Sequence, residues 1–210
     1  MRQMGEAGMP MWRWTRTQAP QLSATRRPAR ARPARVVGTG QRVLASCLVA
    51  YGCLFSTQVS ATTYHVSDDT YTNVATPALV YGTGLGVSVA NGTAERRGYM
   101  RFNLSGVPAG LTLDQIASAR LRLWVKSVSA SGRIDLYQIT SPWSESSLNA
   151  ASAPVMDAAP IASFNISAAH ARRYIDIDVL PAMTALLLQN HGFALVSAGG
   201  RAEFDSKEIQ

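Results

Sequence analysis

Cysteine is nearly absent, with only Cys47 and Cys53 in 210 residues. That excludes a disulfide-dense scaffold and a cysteine-rich zinc module. Histidine is equally scarce. His65, His170 and His191 show no metal-ligand spacing. Charged residues are only 16% of the chain, yet hydrophobic residues reach 47%, which excludes a wholly disordered polymer. There is no internal repeat, no phosphate-binding loop, no Gly-x-Gly-x-x-Gly and no Gly-x-Ser-x-Gly. Nothing therefore nominates a nucleotide site or a nucleophile elbow.

The formal charge of +7 and isoelectric point near 9.9 invite a nucleic-acid reading. The distribution removes it. Residues 1–61 hold nine of the twenty basic side chains and one of the thirteen acids, Glu6. The remainder, with eleven bases and twelve acids, is almost neutral. The expected partners therefore exclude nucleic acid.

The front end reads as an export signal. Residues 1–41 are rich in Arg, Pro, Ala and Thr, lack apolar periodicity, and are expected to form a basic, disordered leader. Translation is expected to begin downstream of Met1, near Val36 or Val37. Residues 42–61 follow as Arg42, an apolar run and the small residues of Val59-Ser60-Ala61, which is the grammar of a secretory signal. The run is short and polar for a membrane span. After cleavage at Ala61 no membrane attachment is expected, and the remaining domain, 62–210, contains no cysteine.

That domain alternates apolar and polar residues in short runs separated by turn signals. Strands are predicted at Thr63–Val66, Gly86–Ala90, Gly98–Leu104, Ala119–Lys126, Arg133–Thr140, Ala162–Ile166, Tyr174–Val179, Phe193–Ala198 and Arg201–Asp205. Asn91-Gly92 and Gly199-Gly200 predict hairpins. Pro181 opens a short helix that ends near Gln189. The sum is an all-β, jelly-roll-type β-sandwich with one short helix.

The ordered segments Asp69-Thr70-Tyr71, Tyr81-Gly82, RGYMRFNLSGVPAGLTLDQIASARLRLWV, SPWSESSLNAASAP, YIDIDVLPAMTALLLQNHGFALVSA and FDSKE resemble the DNRLRE domain, also described as carbohydrate-binding module family 96. The resemblance runs from about Tyr64 to Glu208. It implies a secreted, non-catalytic β-sandwich module of bacterial extracellular or surface proteins, with polysaccharides as ligands, acidic glycans among them. Leu148-Asn149-Ala150 departs from the Thr-Trp that the family commonly carries there. The family also continues past the Ser-x-Glu segment, so the expected sandwich lacks its last strand.

Alternation puts Arg120, Arg122, Trp124 and Lys126 on the face of their strand opposite Leu121, Leu123 and Val125. Arg97, Tyr99, Arg101 and Tyr137 are expected to join them from neighbouring strands. Planar rings stack on sugar faces, and Arg forks pair with carboxylates, so this set is the candidate polysaccharide site. The competing expectation is a solvated face whose bases pair with Asp135, Asp176 or Asp178. Trp143 is expected to plug one end of the sandwich, with Glu145 hydrogen-bonded to backbone. Asp176 and Asp178 lie at i and i+2 on one face, and Asp68-Asp69 form a second acidic pair. Both are weak candidates for a structural calcium. A structural or adhesive surface module and a small polysaccharide-degrading enzyme are the alternative functions. The enzyme reading needs a carboxylate, Tyr or His constellation that the sequence does not present.

Overall fold

The computed structural model describes residues 11–17 and 59–209. The apolar run of the expected signal, with Cys47 and Cys53, lies outside the described residues. Ten strands are present among the described residues: β1 (Met11–Thr17), β2 (Val59–Asn73), β3 (Gly86–Val89), β4 (Arg96–Phe102), β5 (Ile116–Ala130), β6 (Gly132–Gln138), β7 (Ala162–Ile166), β8 (Arg173–Asp178), β9 (Phe193–Ser197) and β10 (Arg201–Asp205). One short helix, α1 (Met183–Leu188), follows a 3-10 turn at Leu180–Ala182. Pro181 sits at the start of that turn, where its missing N–H costs nothing.

The strands form two antiparallel sheets. One contains β3, β10, β5, β8 and β1; the other contains β4, β9, β6 and β7. β2 belongs to both. Val59–His65 pair with β1, and Val66–Asn73 pair with β4. The all-β sandwich with one short helix read from the sequence is the fold observed.

Alternation builds the core. Leu121, Leu123 and Val125 of β5 face Met100 and Phe102 of β4, Ile134 and Leu136 of β6, and Phe193 and Leu195 of β9. All nine are buried. Met183 and Leu186 of α1 belong to the same core. Each such side chain contributes about 1.5–3 kcal/mol on leaving water, which is how a domain without a disulfide between its described strands holds together.

β5 has neighbours on both edges. Val125 is paired with Arg173 of β8 and with Phe204 of β10, while Arg122 is paired with Asp176 of β8 and with Met11 of β1. A residue has only two edges, so β1 and β10 lie end to end along the edge opposite β8.

Three expectations are corrected here. Met11–Thr17, in the leader expected to lack regular structure, is β1. Its Trp and Thr content suits a strand, and two flanking strands supply the ladder that composition alone cannot show. The Asn91-Gly92 and Gly199-Gly200 turns do not join paired strands. β3 and β10 pair with each other in one sheet, while β4 and β9 pair in the other. Asn91-Gly92 closes only an isolated Ala90–Arg96 bridge before the strands part. The glycines turn the chain from one sheet to the other, because β9 already has β4 and β6 on its two edges. Gly192 is essential to a similar approach. Its φ is +81°, and a Cβ there would strike the Met100 carbonyl of β4, so only glycine fits.

Candidate ligand face

The sequence candidates fall on two different surfaces. β5 and β4 lie in different sheets, so their outward side chains point away from each other across the shared core. Alternation identifies outward residues but does not say which way outward is.

On β5, Arg120, Arg122, Trp124 and Lys126 do share one outer face. β8 completes it. Arg120 lies opposite Asp178, Arg122 opposite Asp176, and Trp124 opposite Tyr174. Trp124 meets Tyr174 edge-on, with centroids 4.8 Å apart and planes at 71°. The Arg122 guanidinium lies over the Tyr174 ring, 4.4 Å from its centroid. One face of Tyr174 is thus covered by Arg122 and its flank by Trp124. Tyr174 is a buttress in contact with both neighbours, and Trp124 is partly exposed.

The charges on this face are balanced. Arg122 Nε is 3.8 Å from Asp176 Oδ1, too long for a hydrogen bond. That nitrogen is itself buried and has no hydrogen-bond partner. Lys126 Nζ is 2.8 Å from Glu203 Oε1 on β10. Asp178 accepts the Leu180 N–H at 3.0 Å. These exposed pairs are individually worth about 0–1 kcal/mol, so a ligand can replace them at little cost.

Arg97, Tyr99, Arg101 and Tyr137 occupy the outer face of the other sheet, apart from the β5 set; Tyr99 is buried, while Arg97, Arg101 and Tyr137 are partly exposed. Tyr99, Ala194 and Tyr137 form a row across β4, β9 and β6. The segment following β6 folds over that row. Tyr99 is fully buried in a second apolar cluster with Ile139, Trp143, Leu148 and Ala194. Burial pushes its phenol pKa above the ordinary value of 10.0. Trp143 covers this outer face instead of plugging one end of the sandwich, and its indole N–H donates to the His191 carbonyl at 2.7 Å. Arg101 is fully employed. It reaches Asp68 at 2.8 Å, donates to the Trp143 carbonyl at 3.2 Å and lies 5.3 Å from the Trp143 ring centroid. Arg97 pairs with Glu95. A cover rich in Ser and Ala, with no clear period, gives no sequence signal that it hides a surface.

The two acidic pairs are likewise engaged. Asp68 holds Arg101. Asp69 is buried, and burial raises its pKa from 3.8 to about 7 against the opposing pull of the Lys207 N–H. That N–H donates to Asp69 Oδ2 at 2.6 Å. The Asp69 N–H donates to Glu145 Oε1 at 3.2 Å, and Lys207 Nζ lies 3.1 Å from the same oxygen. Gly82 packs so closely on Glu145 that no side chain fits between them. Tyr71 stacks on Tyr81 nearby, with centroids 4.2 Å apart. Four segments far apart in the sequence, around Tyr71, Gly82, Glu145 and Lys207, are thus tied into one polar knot. Beside it, Val80, Gly82, Thr83, Glu145, Ser146 and Glu208 line a cleft of about 380 Å³. Among the described residues, no group of three or more His, Cys, Asp or Glu side chains is arranged to hold a metal ion. Asp176 and Asp178 stand along the exposed strand beside Arg122 and Arg120.

Two members of the face were missed in the sequence. Tyr174 sits two residues before Asp176, on the same face of the same strand, so the alternation that paired Asp176 with Asp178 extends to it. Glu203 needed the β10–β5 pairing, which no local pattern reveals. No helix among the described residues is long and apolar enough to cross a membrane.

A two-sheet scaffold carrying an aromatic and arginine face on regular strands is the form of a β-sandwich binding module. The sequence pattern of carbohydrate-binding module family 96 matches residues 60–210, and the chain belongs to that family. Modules of this kind are typically non-catalytic. No curated protein matches the chain.

Proposed function

We propose that the chain is an exported, non-catalytic module that binds an extracellular polysaccharide through the outer face of β5 and β8. Family membership supports carbohydrate as the ligand class. The observation that supports this face is the Arg122–Tyr174–Trp124 arrangement. Trp124 stacks on the apolar face of a sugar ring. Arg122, whose side chain is about 39% exposed, donates from the exposed end of its guanidinium to its hydroxyls or to a uronate carboxylate. Arg120 and Lys126 extend the face along β5, so successive sugars of a chain meet successive side chains.

The test is affinity electrophoresis through gels containing neutral or acidic polysaccharide. The chain is expected to be retarded in an acidic gel. Trp124→Ala and Arg122→Ala should each remove most of that retardation while shifting the melting temperature little. Retardation unchanged in both variants refutes the site. Absence of retardation in every gel favours the structural or adhesive reading, which the balanced charges of the face also suit. Release of sugar products would restore the enzyme reading.

A further inference from the structure

β1 occupies an unusual position. It is the only described strand that joins a first-sheet strand to the amino-terminal half of β2. Met11–Thr17 pair with Val59–His65 on one side, and Met11–Arg16 pair with Ile116–Arg122 on the other. β2 and β5 therefore leave a gap one strand wide, with a row of backbone donors and acceptors on each wall. β1 fills it antiparallel to both walls. The 41 residues between Thr17 and Val59 make this a long-range docking and not a hairpin.

The expected export cleavage bears on the same gap. Ala61 and Thr62 lie within β2, in register with Thr15 and Trp14 of β1. A peptidase needs an extended, unpaired segment, so a seated β1 and cleavage at this bond exclude each other. Cleavage also detaches β1, leaving both walls as open edges, which are ready templates for strand addition.

We infer that the gap between β2 and β5 is a strand-acceptor site and that Met11–Thr17 is its replaceable occupant. Recognition is through the main chain, by two ladders, and the gap admits one extended polypeptide segment in antiparallel alignment. The inference concerns the uncleaved chain, in which both walls and the occupant are present; cleavage after Ala61 would remove the occupant and shorten the β2 wall to Thr62–His65.

The test uses the full chain and a Trp14→Pro/Thr15→Pro variant, in which successive prolines remove a ladder donor toward each wall. In the variant, those amides of Ala119–Arg122 and Thr62–His65 that are directed at β1 should exchange with solvent at least about tenfold faster, while the β5 amides directed at β8 and those of β4 and β9 stay protected. A labelled peptide spanning residues 10–18 should bind the variant at least about tenfold more tightly than the parent chain and restore protection. Equal exchange in both proteins, or equal affinity for the peptide, overturns the inference. A second measurement does not depend on the variant folding. Cysteines at 13 and 120, whose Cα atoms are strand partners, are placed in the full chain with Cys47 and Cys53 changed to serine. A disulfide should form, since such a pairing lies within bridging distance; its failure to form overturns the occupant.

Discussion

Replacing Asp69 by Asn isolates the charge at the centre of the polar knot. Asn keeps an acceptor for the Lys207 N–H but cannot ionise. In the folded chain the Asp69 carboxyl has its pKa raised from 3.8 to about 7, chiefly by burial. The folded state therefore holds its proton more tightly than the unfolded state. Between about pH 4 and pH 7 the native chain binds more protons, so stability falls as pH rises. The contribution is fully present below about pH 4 and is lost as pH climbs through 7. A shift of roughly three units corresponds to about 4 kcal/mol at most, or on the order of 10 °C in melting temperature for a domain of this size. Thermal melts of parent and Asp69→Asn protein from pH 4 to pH 8 test this. The parent should lose stability across that range relative to the variant, and the two curves should diverge most above pH 7. Parallel curves would refute the assignment of Asp69 as a carboxyl held neutral by burial.

Three further outcomes follow from the packing. Tyr99→Ala removes the centre of the second apolar cluster and should cost about 3 kcal/mol or more, read as a lower denaturation midpoint, with polysaccharide retention intact at temperatures where the variant is folded. Gly82→Ala places a Cβ 2.5 Å from Glu145 Cγ and 2.7 Å from its carbonyl oxygen. The backbone must shift, costing about 1–3 kcal/mol, which chemical denaturation will show. Lys126→Ala should change stability by no more than about 1 kcal/mol, since its pair with Glu203 is exposed, yet it should weaken binding to an acidic polysaccharide at low salt.

The sequence disclosed the sandwich because its strands alternate cleanly. Ala119–Lys126 shows which side of β5 enters the core, and Ala162–Ile166 and Arg201–Asp205 coincide with β7 and β10. Pairing was less legible. A glycine turn reads the same whether it closes a hairpin or carries the chain between sheets, and only the full set of edges decides. The candidate site split for the same reason. Arg97, Tyr99 and Arg101 have the same outward alternation as Arg120, Arg122 and Trp124, but their sheet is roofed by Trp143 and Leu148 from a segment without periodicity. Tyr174 was reachable from the sequence by extending one strand face two residues. The polar knot joins segments up to 138 positions apart, as in the Lys207–Asp69 bond, and no local pattern encodes such a closure. β1 escaped because a strand held by two ladders needs little apolar periodicity of its own.

The most direct measurement of the central claim is a two-dimensional NMR titration of the labelled chain with soluble acidic oligosaccharides. Perturbed amide and indole signals should cluster at Arg120–Lys126 of β5 and Tyr174–Asp178 of β8, with the Trp124 indole among the most affected. Perturbations confined to the roofed face around Tyr137 and Trp143, or to the cleft beside Glu145 and Glu208, would contradict it.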